Sequence, residues 1–249
     1  MAGHSKWANI KHRKARQDSK RSKMWSKCSR AIIVAAKNGG GDPDQNLTLR
    51  YAIDEAKAAN MPKDTIEKAI AKGAGGGDGE NYEEVVYEGY GPNGVAVMIE
   101  ALTDNKNRTV PELRKLFEKA GGNLGAAGSV AFNFERKGEL FLDKAKADEE
   151  QIMETALEAG AEDIEDTGEA WRVVTSVDDY HGVKDALTAA ELEPDAASLS
   201  MIPTNTVACT GKDAERIVNF LEALDDHDDV QNVHANHDIP DDEYAALMG

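Results

Sequence analysis

A glycine-rich tract divides this chain into two parts with different hydrophobic periodicity. The tract, GAGGGDG, runs from Gly73 to Gly79 and contains five glycines. Apolar residues recur at helical spacing before it and alternate as in strands after residue 81. A phosphate-binding loop would need a preceding strand, a following Lys-Ser or Lys-Thr pair and a helix directly after the glycines, and the sequence has none of these. The tract is therefore predicted to be a flexible hinge over residues 73–80.

The part before the hinge, residues 1–72, is predicted to be a basic three-helix domain. An apolar stripe from Met24 to Ile32 has helical spacing and ends at a run of three glycines. Asp42, followed by Gln45, has the pattern of an N-cap and capping box for a second helix. A third apolar stripe follows a few residues later. Three short amphipathic helices with short connections are typical of a small helical bundle.

The part after the hinge has three successive patterns of elements. Residues 81–136 show the order β-β-α-β, residues 137–204 the order β-α-β-β-α-β, and residues 205–249 the order α-β. The second pattern is that of a ferredoxin-like sandwich. The third is too small to fold alone, and the first lacks a second helix to cover its sheet.

We therefore predict an α+β, multidomain fold. It consists of an N-terminal three-helix domain plus two α/β-sandwich domains, one of them ferredoxin-like and inserted in the other. The discontinuous domain comprises residues 81–136 plus 205–249, and the inserted domain comprises residues 137–204.

Local signals place several element boundaries inside these patterns. Thr109 and Glu112 form a Thr-x-x-Glu capping box that predicts a helix start at Thr109. Residues 130–135 and 139–142 are predicted as two separate strands. Asp148 is predicted to cap a helix whose apolar positions are Ile152, Met153, Ala156 and Leu157.

Charge is distributed very unevenly along the chain. Residues 1–72 contain sixteen Lys and Arg against seven Asp and Glu, a net charge of +9, whereas the whole chain carries −17, which leaves −26 for the remainder. Between Lys11 and Lys23, Ala15 is the only apolar residue and Asp18 the only acid. Such a segment cannot be buried in a core, and its cations favour contact with a polyanion.

The basic segment therefore predicts a nucleic-acid-binding site that contacts phosphates. A solvated or disordered tail is the alternative reading of a charge run. The sequence has no helix-turn-helix, zinc finger or RNP signature, so we expect backbone contact with little base readout. The residues predicted to bind nucleic acid are Lys6, Lys11, His12, Arg13, Lys14, Arg16, Lys20, Arg21, Lys23, Lys27 and Arg30.

Lys106 and Arg108 are a possible second contact with nucleic acid. They lie in a polar stretch, Asp104–Arg108, that is predicted to be a loop. The competing interpretation is a connection between a hairpin and a helix, in which the Asn side chains satisfy the turn. The sequence leaves both interpretations open.

Several other function classes find little support in the sequence. The two cysteines, Cys28 and Cys209, form no metal-ligand pair and indicate a reducing compartment. No apolar run approaches the ~20 residues of a membrane span, and no secretory signal is present, so a cytoplasmic location is expected. His227, His234 and His237 lack metal-ligand spacing and fit a solvated acidic end better than a metal site.

No catalytic constellation or cofactor fingerprint is found. We therefore expect a protein that is not an enzyme, with no cofactor, no metal and no small-molecule substrate. A nuclease that uses His4 and His12, and an adaptor that works through its acidic domains, are the alternatives from other classes. The oligomeric state is left open.

Several motifs resemble those of the YebC/PmpR family, and the match covers nearly the whole chain. They are MAGHSKW at residues 1–7, GGGDP at 39–43, YEGYGP at 87–92, TDN at 103–105 with NRT at 107–109, and GGNL at 121–124 with GSV at 128–130. The resemblance implies a helical N-terminal domain with two α+β domains, and no catalytic residues or cofactor. It implies a DNA-binding transcriptional regulator. The alternative is a ribosome-associated translation factor or activator that contacts structured or ribosomal RNA through the same basic domain, as in the mitochondrial branch.

The acidity of the C-terminal end departs from what the resemblance leads us to expect. We predict that opposite charges draw the basic domain onto this end and mask it. Converting Asp225, Asp226, Asp228 and Asp229 to Asn is expected to preserve the fold and to tighten nucleic-acid binding at low salt. The gain is expected to fade as salt rises, because screening acts within a Debye length.

Overall fold

The fold is α+β, as the sequence predicts, with a group of helices followed by two antiparallel four-stranded sheets. The computed structural model describes residues 22–75, 82–145, 148–168 and 170–248, without the side chains of Asp241 and Met248. Within this described part, no helix is both long and apolar enough to cross a membrane.

Three helices form the first part of the structure. They are α1, residues 22–39, α2, Leu47–Ala58, and α3, Lys63–Ala74. Cys28, Ile32, Leu49 and Ile66 contribute to their shared core. The first residues of the glycine tract belong to α3, where Gly73 packs so closely on the backbone oxygen of Ile33 that a side chain would collide with it.

Helix α2 begins later than the sequence indicates, so the predicted cap was wrong. Asn46, rather than Asp42, is the N-cap, and its Oδ1 accepts the backbone N–H of Leu49 at 3.1 Å. Asn46 Nδ2 also donates to the carbonyls of Ala35 and Gly40, each at 2.8 Å. Asp42 instead closes a turn of its own. The contacts between α1 and Asn46 fix the start of α2, and no local rule contains them.

The first sheet has the strand order β3-β1-β2-β9. Helices α4 and α7 pack on one face, where Phe117 and Phe220 meet edge to face with ring centroids 4.9 Å apart. The elements are β1, Glu83–Tyr90, β2, Ala96–Thr103, α4, Lys106–Ala120, β3, Asn123–Leu124, α7, Gly211–Asp225, and β9, Val230–Ala235.

The second sheet has the order β5-β6-β4-β7 and follows the β-α-β-β-α-β sequence of a ferredoxin-like fold. Its core includes Leu140, Ile152, Val173 and Leu187. The elements are β4, Phe134–Asp143, α5, Glu149–Glu158, β5, Ala161–Asp166, β6, Ala170–Thr175, α6, Tyr180–Ala189, and β7, Ala196–Pro203.

Strand β4 is continuous, so the prediction of two separate strands here was wrong. It pairs with β7 from Phe134 to Phe141, and a 3₁₀ turn at Ala131–Asn133 precedes it. Residues 130 and 131 stay outside the strand because of Glu88 on β1. The buried carboxylate of Glu88 accepts the backbone N–H groups of Val130 and Ala131, each at 2.8 Å. Those two groups are therefore taken up by a side chain rather than by a strand ladder.

The chain returns to the first sheet after completing the second. β9 pairs antiparallel with β2, from Val97 opposite Ala235 to Ala101 opposite Val230. Two short strands, β8, Val207–Ala208, and β10, His237–Asp238, pair in parallel. The last element is α8, Asp241–Met248, a helix that the sequence did not predict. The division into domains stays a prediction, and its test is given in the Discussion.

Candidate nucleic-acid interface

Only the end of the predicted basic site lies in the described part of the chain. Lys23, Lys27 and Arg30 are on α1, spaced so that they share one side of the helix. The other predicted residues, Lys6, Lys11, His12, Arg13, Lys14, Arg16, Lys20 and Arg21, lie outside the described residues.

Two of the predicted cations, Lys23 and Lys27, meet the C-terminal end of α7. Lys27 Nζ donates to the backbone oxygen of Asp225 at 2.6 Å and lies 3.2 Å from its Oδ1. Lys23 Nζ donates to the backbone oxygen of Asp226 at 3.1 Å. The last carbonyls of a helix lack partners within the helix and carry the negative end of its dipole, so cations are stabilising there. The basic helix is therefore docked on the acidic end.

Lys27 makes the most enclosed of these contacts. Its side chain is 9% exposed and that of Asp225 is 31% exposed. Burying an ammonium group is costly unless acceptors replace its water, and here a carbonyl and a carboxylate do so. In this docked arrangement Lys27 is turned toward protein rather than toward a ligand.

Arg30 reaches a buried carboxylate at the start of β9. Its Nη1 lies 3.6 Å from Asp229 Oδ1, and the Asp229 side chain is only 5% exposed. Asp229 also accepts two hydrogen bonds from Arg108 Nη2, at 3.0 and 2.9 Å, and one from Thr109 Oγ1 at 2.7 Å. Asp229 thus joins α1, α4 and β9 through one side chain.

These contacts contradict the expectation that Asp229 belongs to a solvated acidic end. Burial alone would raise the pKa of Asp229, but the hydrogen bonds from Arg108 and Thr109 and the Arg108 charge outweigh it, so the pKa lies below its usual value. The Asp229 carboxylate is therefore ionised and structural. We therefore expect replacement of Asp229 to destabilise the fold, in contrast to the expectation from the sequence that all four aspartates can be replaced without effect on the fold.

The possible second contact, Lys106 and Arg108, lies in the first turn of α4 rather than in a loop. The predicted helix start at Thr109 was wrong, because Asn105 is the N-cap and its Oδ1 accepts the N–H of Arg108 at 3.2 Å. Lys106 Nζ is 2.5 Å from Glu83 Oε2. Both cations thus have carboxylate partners in the protein, and contact with nucleic acid stays a prediction for them.

The three C-terminal histidines lie in different surroundings. His227 Nδ1 accepts the N–H of Asp229 at 3.1 Å, which puts its proton on Nε2, 3.0 Å from Glu112 Oε2. His234 Nε2 lies 3.6 Å from Glu100 Oε2. Burial lowers the pKa of His237 to about 4, so this ring is neutral. No group of three metal-ligating side chains occurs among the residues that the structure describes.

The helical part is also docked on the second sheet, which the sequence did not foresee. Tyr51 of α2 stacks on His181 of α6 with ring centroids 4.5 Å apart and planes 6° from parallel. Lys184 Nζ donates to Asp54 Oδ2 at 2.8 Å. These partners are about 130 positions apart in the chain, and no local pattern links residues at that separation.

Family profiles match both parts of the chain. The profile described as the TACO1/YebC protein N-terminal domain matches residues 5–76. The profile described as the TACO1/YebC second and third domain matches residues 82–237. The two matched ranges meet at the glycine-rich tract.

Several relatives are similar over almost their whole length. One from Desulfatibacillum aliphaticivorans is 54% identical, with 97% of this chain and 98% of the relative covered. One from Syntrophotalea carbinolica is 53% identical, with 100% of each covered. Both are named probable transcriptional regulatory protein. A crystal structure of a conserved hypothetical protein from Aquifex aeolicus is similar with a TM-score of 0.84 and 46% identity, covering 94% of this chain and 97% of that one.

Proposed function

The chain belongs to the TACO1/YebC family, and on that premise we propose that it is a non-enzymatic regulator of gene expression that binds nucleic acid through its basic N-terminal segment. The observation that carries the proposal is the charge segregation, +9 over residues 1–72 against −26 over the rest. A phosphate backbone is attracted to the first part and repelled by the second. The names of the relatives as transcriptional regulators support a regulatory role.

Duplex DNA is the proposed ligand, and structured RNA is the alternative. The family names favour transcription, whereas the lack of a base-reading motif favours binding by shape and backbone, which suits structured or ribosomal RNA equally. The alternative function is that of a translation factor on the ribosome. The same basic segment serves both, so the choice of nucleic acid decides between them. A cytoplasmic location is part of the proposal.

A salt titration of the full chain tests the electrostatic basis of the proposal. If about seven cations contact phosphates, log K for duplex DNA is expected to fall with log salt with a slope of about −6. The measurement is fluorescence anisotropy with a labelled DNA duplex and, in parallel, a labelled RNA hairpin. A flat titration for both would refute the proposal, and a clear preference for the hairpin would favour the translation alternative.

Charge reversal locates the site. Reversal to Glu at Lys11, Arg13, Lys14 and Arg16 is expected to abolish binding at physiological salt. The matched control reverses four exposed cations elsewhere, Arg114, Lys115, Lys119 and Lys212, and changes the net charge by the same amount. Equal losses in the two variants would mean that overall charge, rather than this segment, governs binding.

A further inference from the structure

Helix α5 turns two large apolar side chains toward solvent. Met153 is 42% exposed and Leu157 is 48% exposed, whereas Ile152 and Ala156 on the same helix are fully buried. The sequence grouped all four as one apolar face. Of these four, only Ile152 and Ala156 pack into the core of the second sheet, and their neighbours at the next position lie about 100° further round the helix. Met153 and Leu157, four positions apart, thus form a short apolar ridge on the outer surface.

A row of carboxylates runs beside this ridge. Glu150, Glu154 and Glu158 follow one another at four-residue spacing, which places like charges next to each other on the helix surface. Glu154 and Glu158 also lie toward the C-terminal end, where the helix dipole disfavours negative charge, and the last turn has no basic residue. In the described structure none of the three makes an ion pair with another described residue. Repulsion along the row and the helix dipole at Glu154 and Glu158 therefore oppose helix formation, whereas Glu150 lies in the first turn, where the dipole favours a negative charge.

We propose that this face of α5 is a docking surface for a basic amphipathic helix of another protein. Such a helix would place apolar side chains at four-residue spacing on Met153 and Leu157 and its Lys or Arg residues on the glutamate row. The same side chains line a shallow depression of about 720 Å³. Charge complementarity identifies the partner, because this face offers only carboxylates and a cationic partner removes the repulsion between them.

Other occupants fit this face less well. Nucleic acid is repelled by the carboxylate row. The basic run of this chain or of a second copy, Lys11–Lys23, has Ala15 as its only apolar residue and so cannot fill the ridge with two apolar anchors. A helix of a separate protein that carries both apolar anchors and Lys or Arg residues can pack on the ridge and pair with the glutamate row at the same time. The inference does not depend on the proposed nucleic-acid binding.

The glutamate row gives a test in which stability and binding move in opposite directions. The variant E154Q/E158Q is expected to unfold at a higher temperature than the wild type, because it removes the repulsion along the row and two charges that the helix dipole disfavours. The same variant is expected to bind a basic helix about tenfold more weakly. The matched control, E84Q/E118Q, neutralises two exposed glutamates on β1 and α4 and is expected to leave peptide binding unchanged. A lower unfolding temperature for the α5 variant would overturn the argument from repulsion.

The binding probe is a labelled designed peptide of about 20 residues, long enough to form a helix. It carries Leu at four-residue spacing on one face and Lys and Arg beside them, and a scrambled peptide of the same composition has no such face. With the full chain at about 0.1 M salt, the amphipathic peptide is expected to bind about tenfold more tightly than the scrambled one. The variant M153Q/L157Q is expected to remove this preference.

Three outcomes would overturn the proposal. Equal binding of both peptides would mean attraction by charge alone. Absence of binding, or binding that M153Q/L157Q leaves unchanged, would remove the docking surface from α5. A dimer in sedimentation analysis that becomes a monomer in M153Q/L157Q would mean that a second copy covers the ridge. A peptide preference lost only in the two α5 variants supports the proposal.

Discussion

Substitution of Asp229 by Asn tests whether one buried carboxylate holds α4 against the chain just before β9. Asp229 accepts hydrogen bonds from Arg108 Nη2 at 3.0 and 2.9 Å and from Thr109 Oγ1 at 2.7 Å. Asn keeps one acceptor oxygen but places an NH₂ group opposite donors, and it removes the charge that compensates Arg108. A hydrogen bond to a charged group contributes about 1.5–3 kcal/mol, and Arg108 is partly solvated, so we expect the free energy of unfolding to fall by about 2–3 kcal/mol.

Thermal unfolding measures this loss against a matched neighbour. For a chain of this size about 1 kcal/mol shifts Tm by about 2–4 °C, so the Tm of D229N is expected to fall by about 4–12 °C. The control is D228N, the same chemical change one position away at an exposed side chain. Its effect is expected to stay within about 0.5 kcal/mol. Equal Tm values for the two variants would refute the structural role of Asp229.

The pH dependence gives an independent check on the same carboxylate. The pKa of Asp229 is lowered in the folded state from an ordinary value of 3.8. A depressed pKa contributes stability that is present above the unfolded value and is lost as the pH falls through the folded one. The Tm difference between wild type and D229N is therefore expected to be full at neutral pH and to shrink below pH 3.8. A difference that stays constant into acid would mean that ionisation of Asp229 contributes nothing.

Three further predictions follow from other contacts. Glu88→Gln is expected to lower the free energy of unfolding by about 1–3 kcal/mol, because the carboxylate accepts three backbone N–H groups; an unchanged denaturation midpoint would contradict this. The predicted boundary between residues 136 and 137 falls inside β4, which begins at Phe134, so the fragments that test the discontinuous domain are divided between residues 132 and 133. Residues 133–204 are expected to unfold cooperatively and residues 82–132 alone are not; a cooperative calorimetric transition of 82–132 would refute the discontinuous domain. Asp225→Asn is expected to tighten nucleic-acid binding at low salt by releasing Lys27, and an unchanged anisotropy titration would show that docking does not compete with binding.

Local sequence rules predicted the start of a helix correctly where the capping contacts lie within the same turn. Asp148 caps α5 as predicted, because its side chain accepts the N–H groups of Glu150 and Gln151 within the same turn. The start of α2 was wrong because Asn46 is held by carbonyls of the preceding helix. The start of α4 was wrong because the Thr109 hydroxyl, read as a helix cap, bonds to the Asp229 carboxylate 120 positions away. A capping pattern therefore identifies candidate N-cap residues, and tertiary contacts determine which of them begins the helix.

At the candidate nucleic-acid interface, too, the sequence predicted the local charge pattern but not the contacts between residues far apart in the chain. Charge along the chain was sufficient to predict a basic segment and an attraction to the acidic end. It could not show that Asp229 is buried while Asp228 is exposed, because both are aspartates in one short run. The charge pattern also could not show that the Lys27 side chain is buried against the end of α7, since its contact with Asp225 joins residues 198 positions apart. The sequence therefore predicts that the basic segment and the acidic end attract each other, but it does not predict which side chains are in contact.

The burial of Lys27 changes how salt should act on the docked state. Screening is strong between exposed charges and weak between buried ones. Asp228 is exposed, so any gain in nucleic-acid binding from D228N is expected to fade by about 0.15 M salt. The contact between Lys27 and Asp225 is largely shielded from ions, with the Lys27 side chain 9% exposed. The gain from D225N is therefore expected to persist at that salt concentration. Parallel loss of both gains would mean that Lys27 is as solvated in solution as Asp228, and that the docked helix opens freely.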